Sequence, residues 1–178
     1  RPQVNIVDPR FRKGGSERGR IALLHALAHI EFNAIDLAFD LIGQFGAAFP
    51  RAFVDDWIGV GVDEAMHFAI LDRRLRTLGS SYGALPAHDG LWEAAAATAD
   101  DVLARLAVVP MVLEARGLDV TPATVERFLA AGDTRSAAIL ERIYRDGIRH
   151  VAAGTRWFKS ACESGGFPPL SHFGCLLK

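Results

Sequence analysis

From about Ser16 to Cys162 the apolar residues recur three, four and seven positions apart, the spacing of helices that each bury one stripe. Strand-like alternation is lacking, so the chain reads as all-α, a four-helix bundle with a short extra helix. A first helix is expected from about Ser16 to Gly46. A second begins near Pro50, a residue suited to a first turn, and ends at Gly79. The few residues between them dictate an antiparallel hairpin. The stretch GSSYGALPAHDG, residues 79–90, reads as a loop with Asp89 as an N-cap. At roughly 3.3 to 3.6 Å per residue it is long enough to carry the chain back along most of a helix.

The third helix is expected from about Leu91 to Arg116, stopped by Gly117. Pro110 lies inside it and cannot donate to the carbonyl of Leu106, which predicts a kink or bulge one turn before Glu114. Thr121-Pro122 then opens a short helix to about Ala131, and the last long helix covers Thr134 to Cys162. Residues 1–17 read as an extended arm rich in proline, glycine and charge, 18–162 as the bundle, and 163–178 as an irregular tail.

Several charged residues stand where the apolar stripes call for hydrophobes. Glu31 is surrounded at helical spacing by Leu24, Leu27, Ala28, Ala34, Ile35 and Ala38. Glu64 lines up with Trp57, Gly61, Phe68 and Leu71, and His67 follows it on the same face as an E-x-x-H pair. Leu103, Ala107, Met111 and Leu118 flank Glu114 in the same way, while Ile143, Ala153, Trp157 and Phe158 put His150 on the buried stripe. Burying one unpaired charge costs several kcal/mol, so three carboxylates and two imidazoles require mutual compensation. A pair of divalent cations supplies it. The known recipe is a Glu from each of two helices and an E-x-x-H pair from each of the other two. Here the second pair is half present: residue 147, three before His150 in YRDGIRHV, is glycine. Asp146 is one candidate to replace the missing carboxylate.

Charge and composition narrow the alternatives. Twenty basic residues oppose 21 acidic ones, so no net field draws the protein to nucleic acid or anionic lipid. Cys162 and Cys175, without metal-type spacing, argue against a disulfide scaffold and for a reducing, cytoplasmic setting. No apolar run of membrane-spanning length and no signal peptide is read, so no membrane partner is expected; the start at Arg1 rather than methionine implies a missing or processed N-terminus. His25 and His29 share a face with polar residues, which favours an exposed helix surface. The run RRLR, residues 73–76, reads as a solvated face, with a tRNA or phosphate contact as the alternative.

The segments HALAHIEFNAIDLAFD, FPRAFVDDWIGVGVDEAMHFAILDRRLRTLGSSYGALPAHDGLW, VPMVLEARGLDVTP and ILERIYRDGIRHVAAGTRWF together resemble a ferritin-like bacterial family known as a domain of unknown function. More distantly, the chain is similar to ferritin-like tRNA-modifying hydroxylases, which share the VLEAR type of segment. The resemblance covers about residues 1–162. It implies a ferritin-like bundle with a dinuclear metal site and selects Glu31, Glu64, His67, Glu114 and His150. Family members usually read RDEIGHV where this chain reads RDGIRHV, so the fourth-helix glutamate is replaced by Gly147.

Three readings follow. The first is a ferritin-like metalloprotein with dinuclear iron or manganese, whose reaction class is oxygen-dependent oxidation or hydroxylation of an unidentified small-molecule or tRNA-type substrate; a homodimer is compatible with it. The second is a non-catalytic or structural bundle with a degraded site, mononuclear or empty, which Gly147 favours. Metal storage, the third, would need a cage-forming oligomer.

Overall fold

The computed structural model describes residues 16–177, so most of the expected N-terminal arm lies outside the described residues. Helix α1 spans Glu17–Phe45 and opens on Ser16, whose hydroxyl accepts the Gly19 amide at 3.1 Å. After a 3-10 turn, Gly46–Ala48, α2 runs Arg51–Thr77 behind Pro50. Helix α3 is short, Gly90–Ala96. Helix α4, Val102–Leu106, is capped by Asp101 and passes through a π-helical segment, Ala107–Leu113, into α5, Glu114–Ala130. Helix α6, Thr134–Gly165, starts on the Asp133 cap and ends at Gly166 in the left-handed region; α7 is Pro169–Leu176. Among the described residues there are no strands, and the chain is all-α.

Several boundaries differ from the sequence reading. The expected third helix is not continuous: α3 ends at Ala96, turns fill residues 97–100, and the Asp101 side chain caps a new start at Val102, while Asp89 stands before α3 without a side-chain cap bond. The last helix runs on past Cys162 to Gly165. Gly117 does not stop the third helix, and Thr121-Pro122 does not start a new one: α5 runs through both. The hydroxyls of Thr121 and Thr124 donate to the carbonyls of Gly117 and Val120 at 2.8 and 2.9 Å. Burial of Val125 and Phe128 then outweighs the local cost of glycine and proline. The tail expected to be irregular carries α7, opened by Pro169 at a position suited to proline. It folds back so that Phe173 lies 5.7 Å from Phe158.

Packing explains how a polar layer comes to lie mid-bundle. At one end Leu41, Phe53, Trp57, Leu103, Leu106, Trp157 and Phe158 form an apolar cluster. At the other, Leu24, Ala28, Leu71, Leu75, Val125, Phe128 and Leu140 form a second. On every long helix the candidate ligand falls between its contributions to the two clusters. The order of those contributions makes the helices run up, down, down, up, with one long crossover between α2 and α4.

The crossover is tied to α1 at both ends of its path. Near the start of α1 the backbone amide of Gly83 donates to His25 Nε2 at 2.9 Å. Asn33 lies 3.1 Å from His29 Nε2, and Tyr82 Oη lies 2.8 Å from His29 Nδ1. His25 and His29 are therefore buried against the loop, not exposed as their polar neighbours suggested, because the returning chain covers that face. At the far end Arg105, fully buried, donates to Asp40 at 2.6 Å, Thr98 at 2.9 Å and the Ala95 carbonyl at 2.7 Å. The RRLR run is likewise divided: Leu75 is buried, and Arg74 bonds Asp133 and Ser136 at the start of α6.

By length and composition α1 with its 3-10 turn, Glu17–Ala48, is long and apolar enough to cross a membrane, although charged and polar residues interrupt its apolar run. Half of its most apolar window is buried inside the bundle.

The π-helical segment sits where Pro110 predicted a bulge. It is accommodated by Gly154 of α6, where a Cβ would lie 2.7 Å from Pro110 Cβ and 2.9 Å from its Cγ. Gly154→Ala should therefore lower stability by about 1 to 3 kcal/mol despite the better helix propensity of alanine. Urea unfolding measures this; a variant as stable as the parent would show that the bulge does not press on α6.

Candidate metal centre

Helices α1, α2, α5 and α6 bring Glu31, Glu64, His67, Glu114 and His150 into one layer. Ligand atoms of Glu31, Glu64 and His67 lie within 4.8 Å of one another, and so do those of Glu64, Glu114 and His150. Glu64 is common to both groups, and each group is able to hold a metal ion. All but Glu114 are buried; its side chain is 32 % exposed.

Each histidine is fixed from behind by a carboxylate on the opposite helix. His67 Nε2 lies 3.1 Å from Asp146 Oδ2, and its Nδ1 lies 3.1 Å from both Glu31 Oε2 and Glu64 Oε2. His150 Nε2 lies 3.2 Å from Asp63 Oδ2, while its Nδ1 is 3.0 Å from Glu64 Oε1 and 3.7 Å from Glu114 Oε1. That last nitrogen is buried without an aligned hydrogen-bond partner. Both rings thus present Nδ1 to the carboxylates with Nε2 committed to an aspartate, the arrangement that orients metal-binding imidazoles.

Asp146 holds the outer nitrogen of His67 and belongs to neither ligand group. Arg142 Nε and Arg149 Nη2 each donate to it at 2.6 Å, and Arg149 Nη2 also reaches Asp63 at 3.1 Å. Asp63 was missed in the sequence. The signal was there: an aspartate stands four residues before each histidine, in Asp63-Glu64-Ala65-Met66-His67 and Asp146-Gly147-Ile148-Arg149-His150.

Gly147 leaves no gap. A Cβ there would lie 2.8 Å from Glu114 Oε1 and 3.0 Å from Leu118 Cδ2, so the Glu114 carboxylate occupies the space a side chain would need.

The protonation states follow from this crowding. Burial and the neighbouring Glu64 raise Glu31 well above an ordinary carboxyl, so it keeps a proton that Glu64 gives up. Burial works against ionised Glu64, but hydrogen bonds with Glu31, His150 and His67 prevail and hold it far below the usual range. Burial also opposes the charged imidazoles. The carboxylates around them outweigh it and push both His67 and His150 up to about 10. In the metal-free protein the imidazolium protons do the work of cations.

An unfolded histidine titrates near 6.5, so between about pH 6.5 and 10 the folded chain binds protons that the unfolded chain has lost. The stability contributed by His67 and His150 is complete below that window and lost as pH rises through it. Urea midpoints of metal-free protein should fall steadily from pH 7 to 10, and His67→Gln should flatten the slope. A profile level across that range would contradict the assignment.

No solved structure matches the chain. An uncharacterized protein of Haemophilus influenzae is 44 % identical over 172 residues, which cover 93 % of this chain and 60 % of that protein, so the chain spans well under the full length of that relative. Residues 2–178, almost the whole chain, match the family described as Protein of unknown function (DUF455), and the protein belongs to that family.

Proposed function

We propose that the protein is a ferritin-like metalloprotein with a dinuclear iron or manganese centre in the polar layer, used for oxygen-dependent oxidation or hydroxylation. The observation that carries the reading is the pair of ligand groups joined by Glu64, with the buried Nδ1 of His150, 3.0 Å from Glu64 but without an aligned partner, facing one of them. Carboxylate oxygens and imidazole nitrogens are donors suited to iron and manganese. The up-down-down-up order with one long crossover is the connectivity of ferritin-like bundles.

Glu31 and His67 would hold one ion, Glu114 and His150 the other, and Glu64 both. Such ions supply Lewis acidity and, with dioxygen, oxidising power. The residues of the chain do the rest. Asp146 and Asp63 keep each Nε2 engaged, so that both Nδ1 atoms face the centre. Arg142 and Arg149 keep Asp146 ionised: burial alone would raise it, and the two guanidiniums with His67 pull it well below the carboxylate range. The apolar clusters above and below exclude water from the layer. Glu114, its side chain one-third exposed, leaves the layer partly open to solvent. The substrate is a small molecule or tRNA-type acceptor in a cytoplasmic setting.

A second reading has its own observation. Glu31, Glu64 and Glu114 supply three negative charges against four on two divalent ions, and position 147 adds none. A structural bundle with a single ion at Glu31, Glu64 and His67 fits that count.

Anaerobic Fe(II) or Mn(II) titration separates them. The dinuclear reading expects two ions per chain with release of roughly two to three protons, as His67, His150 and Glu31 give theirs up. Gly147→Ala, which displaces Glu114 from α6, should weaken one of the two ions about tenfold and spare the other. Uptake of a single ion, or of none, would support the second reading, a bundle whose site is mononuclear or empty, and would overturn the dinuclear one.

A further inference from the structure

Beside the polar layer, the seam between α2 and α6 opens into a cleft of about 380 Å³, within the range of small-molecule sites. Gly59, Ala152 and Ala153 keep it open, and His150 lines its buried side. Arg149 and Arg156, seven residues and so roughly 10 Å apart along α6, flank it with side chains 62 % and 59 % exposed.

The groups around the cleft differ in how they are engaged. Every lining aspartate already has a cation or donor. Asp55 is held by Arg51 at 2.9 Å, Asp56 by Arg156 and by Trp157 Nε1 at 2.7 Å, and Asp63 by Arg149 and His150. The arginines are only partly engaged. Arg149 meets Asp63 and Asp146, and Arg156 meets Asp56, through Nη2 alone. Their Nε and Nη1 groups make no hydrogen bond among the described residues, although the Arg156 guanidinium also lies 5.3 Å from the Trp157 ring. In charge the two arginines and His150 only match the three aspartates, each of which keeps one oxygen without a bond among the same residues; but the arginine side chains are the more exposed, so the groups that stand at the mouth are donors. Planar guanidiniums with free edges recognise carboxylate and phosphate oxygens.

We propose that this cleft binds a small carboxylate- or phosphate-bearing anion between Arg149 and Arg156, with the rest of the molecule directed along Ala152 and Ala153 toward His150. It deepens the metalloenzyme reading by giving the substrate class. It rests on that reading for the chemistry that follows binding, and not for binding itself.

The test uses metal-free protein freed of chelator, labelled with ¹⁵N and titrated separately with succinate, inorganic phosphate and putrescine. Saturable shifts of the Arg149 to Ala153 amides with succinate or phosphate are expected, and whichever anion saturates identifies the headgroup. Arg156→Gln and Ala152→Glu, which respectively remove a donor and place a negative charge in the cleft, should each raise Kd at least tenfold with little change in melting temperature. No saturation by either anion, saturation by the dication instead, or anion affinity unmoved in both variants would overturn the proposal. Because no metal is present, a failure of metal uptake leaves this result standing, and a failure here leaves the metal titration standing.

Discussion

Everything about this bundle turns on how charge is tolerated in its middle. Glu31, Glu64, His67 and His150 are buried between two apolar clusters that contribute the fold's hydrophobic stabilisation. An isolated ion in such a place costs several kcal/mol after relaxation, so none of the four is affordable alone. In the metal-free chain the compensation is internal: protonated imidazoles between carboxylates, and a proton kept on Glu31. The same arrangement would suit exchange of protons for metal ions, because the ligand atoms of each group already lie within 4.8 Å of one another.

The outer shell makes this more than a cluster of acids. Asp63 sits beside Glu64 in sequence but serves the histidine of the opposite helix, and Asp146 does the reverse. The crossed pairs couple α2 to α6 along a seam also bridged by Arg74, Arg149, Arg156 and Trp157. Two glycines on α6 set the remaining distances. Gly154 admits the Pro110 bulge, and Gly147, one turn before His150, admits the Glu114 carboxylate. A helix bearing side chains at both positions would stand farther from α5.

Helical periodicity made α1, α2 and α6 legible, and with them the polar layer, since Glu31, Glu64, His67 and His150 interrupt apolar stripes and are buried; Glu114 interrupts one too but stays one-third exposed, and the break at residues 97–101 was not legible. Pro110 announced its bulge because a missing amide has an unavoidable local effect. The rest depended on tertiary contacts that periodicity does not encode. Pro122 sits inside α5 because Val125 and Phe128 are buried beyond it. His25 and His29 are covered by a loop from 60 residues downstream in the case of Leu85. Gly147 looked like the loss of a ligand, and in the structure it is contact space for Glu114. Asp63 and Asp146 were readable as a repeated spacing, but their crossing between helices was not.

Anomalous diffraction from crystals grown with Mn(II) tests the central claim most directly. Two peaks are expected, one among Glu31, Glu64 and His67 and one among Glu64, Glu114 and His150, each bound through histidine Nδ1 with Nε2 still on its aspartate. Manganese on Nε2, or crystals whose polar layer holds no ion while manganese binds elsewhere, would contradict it.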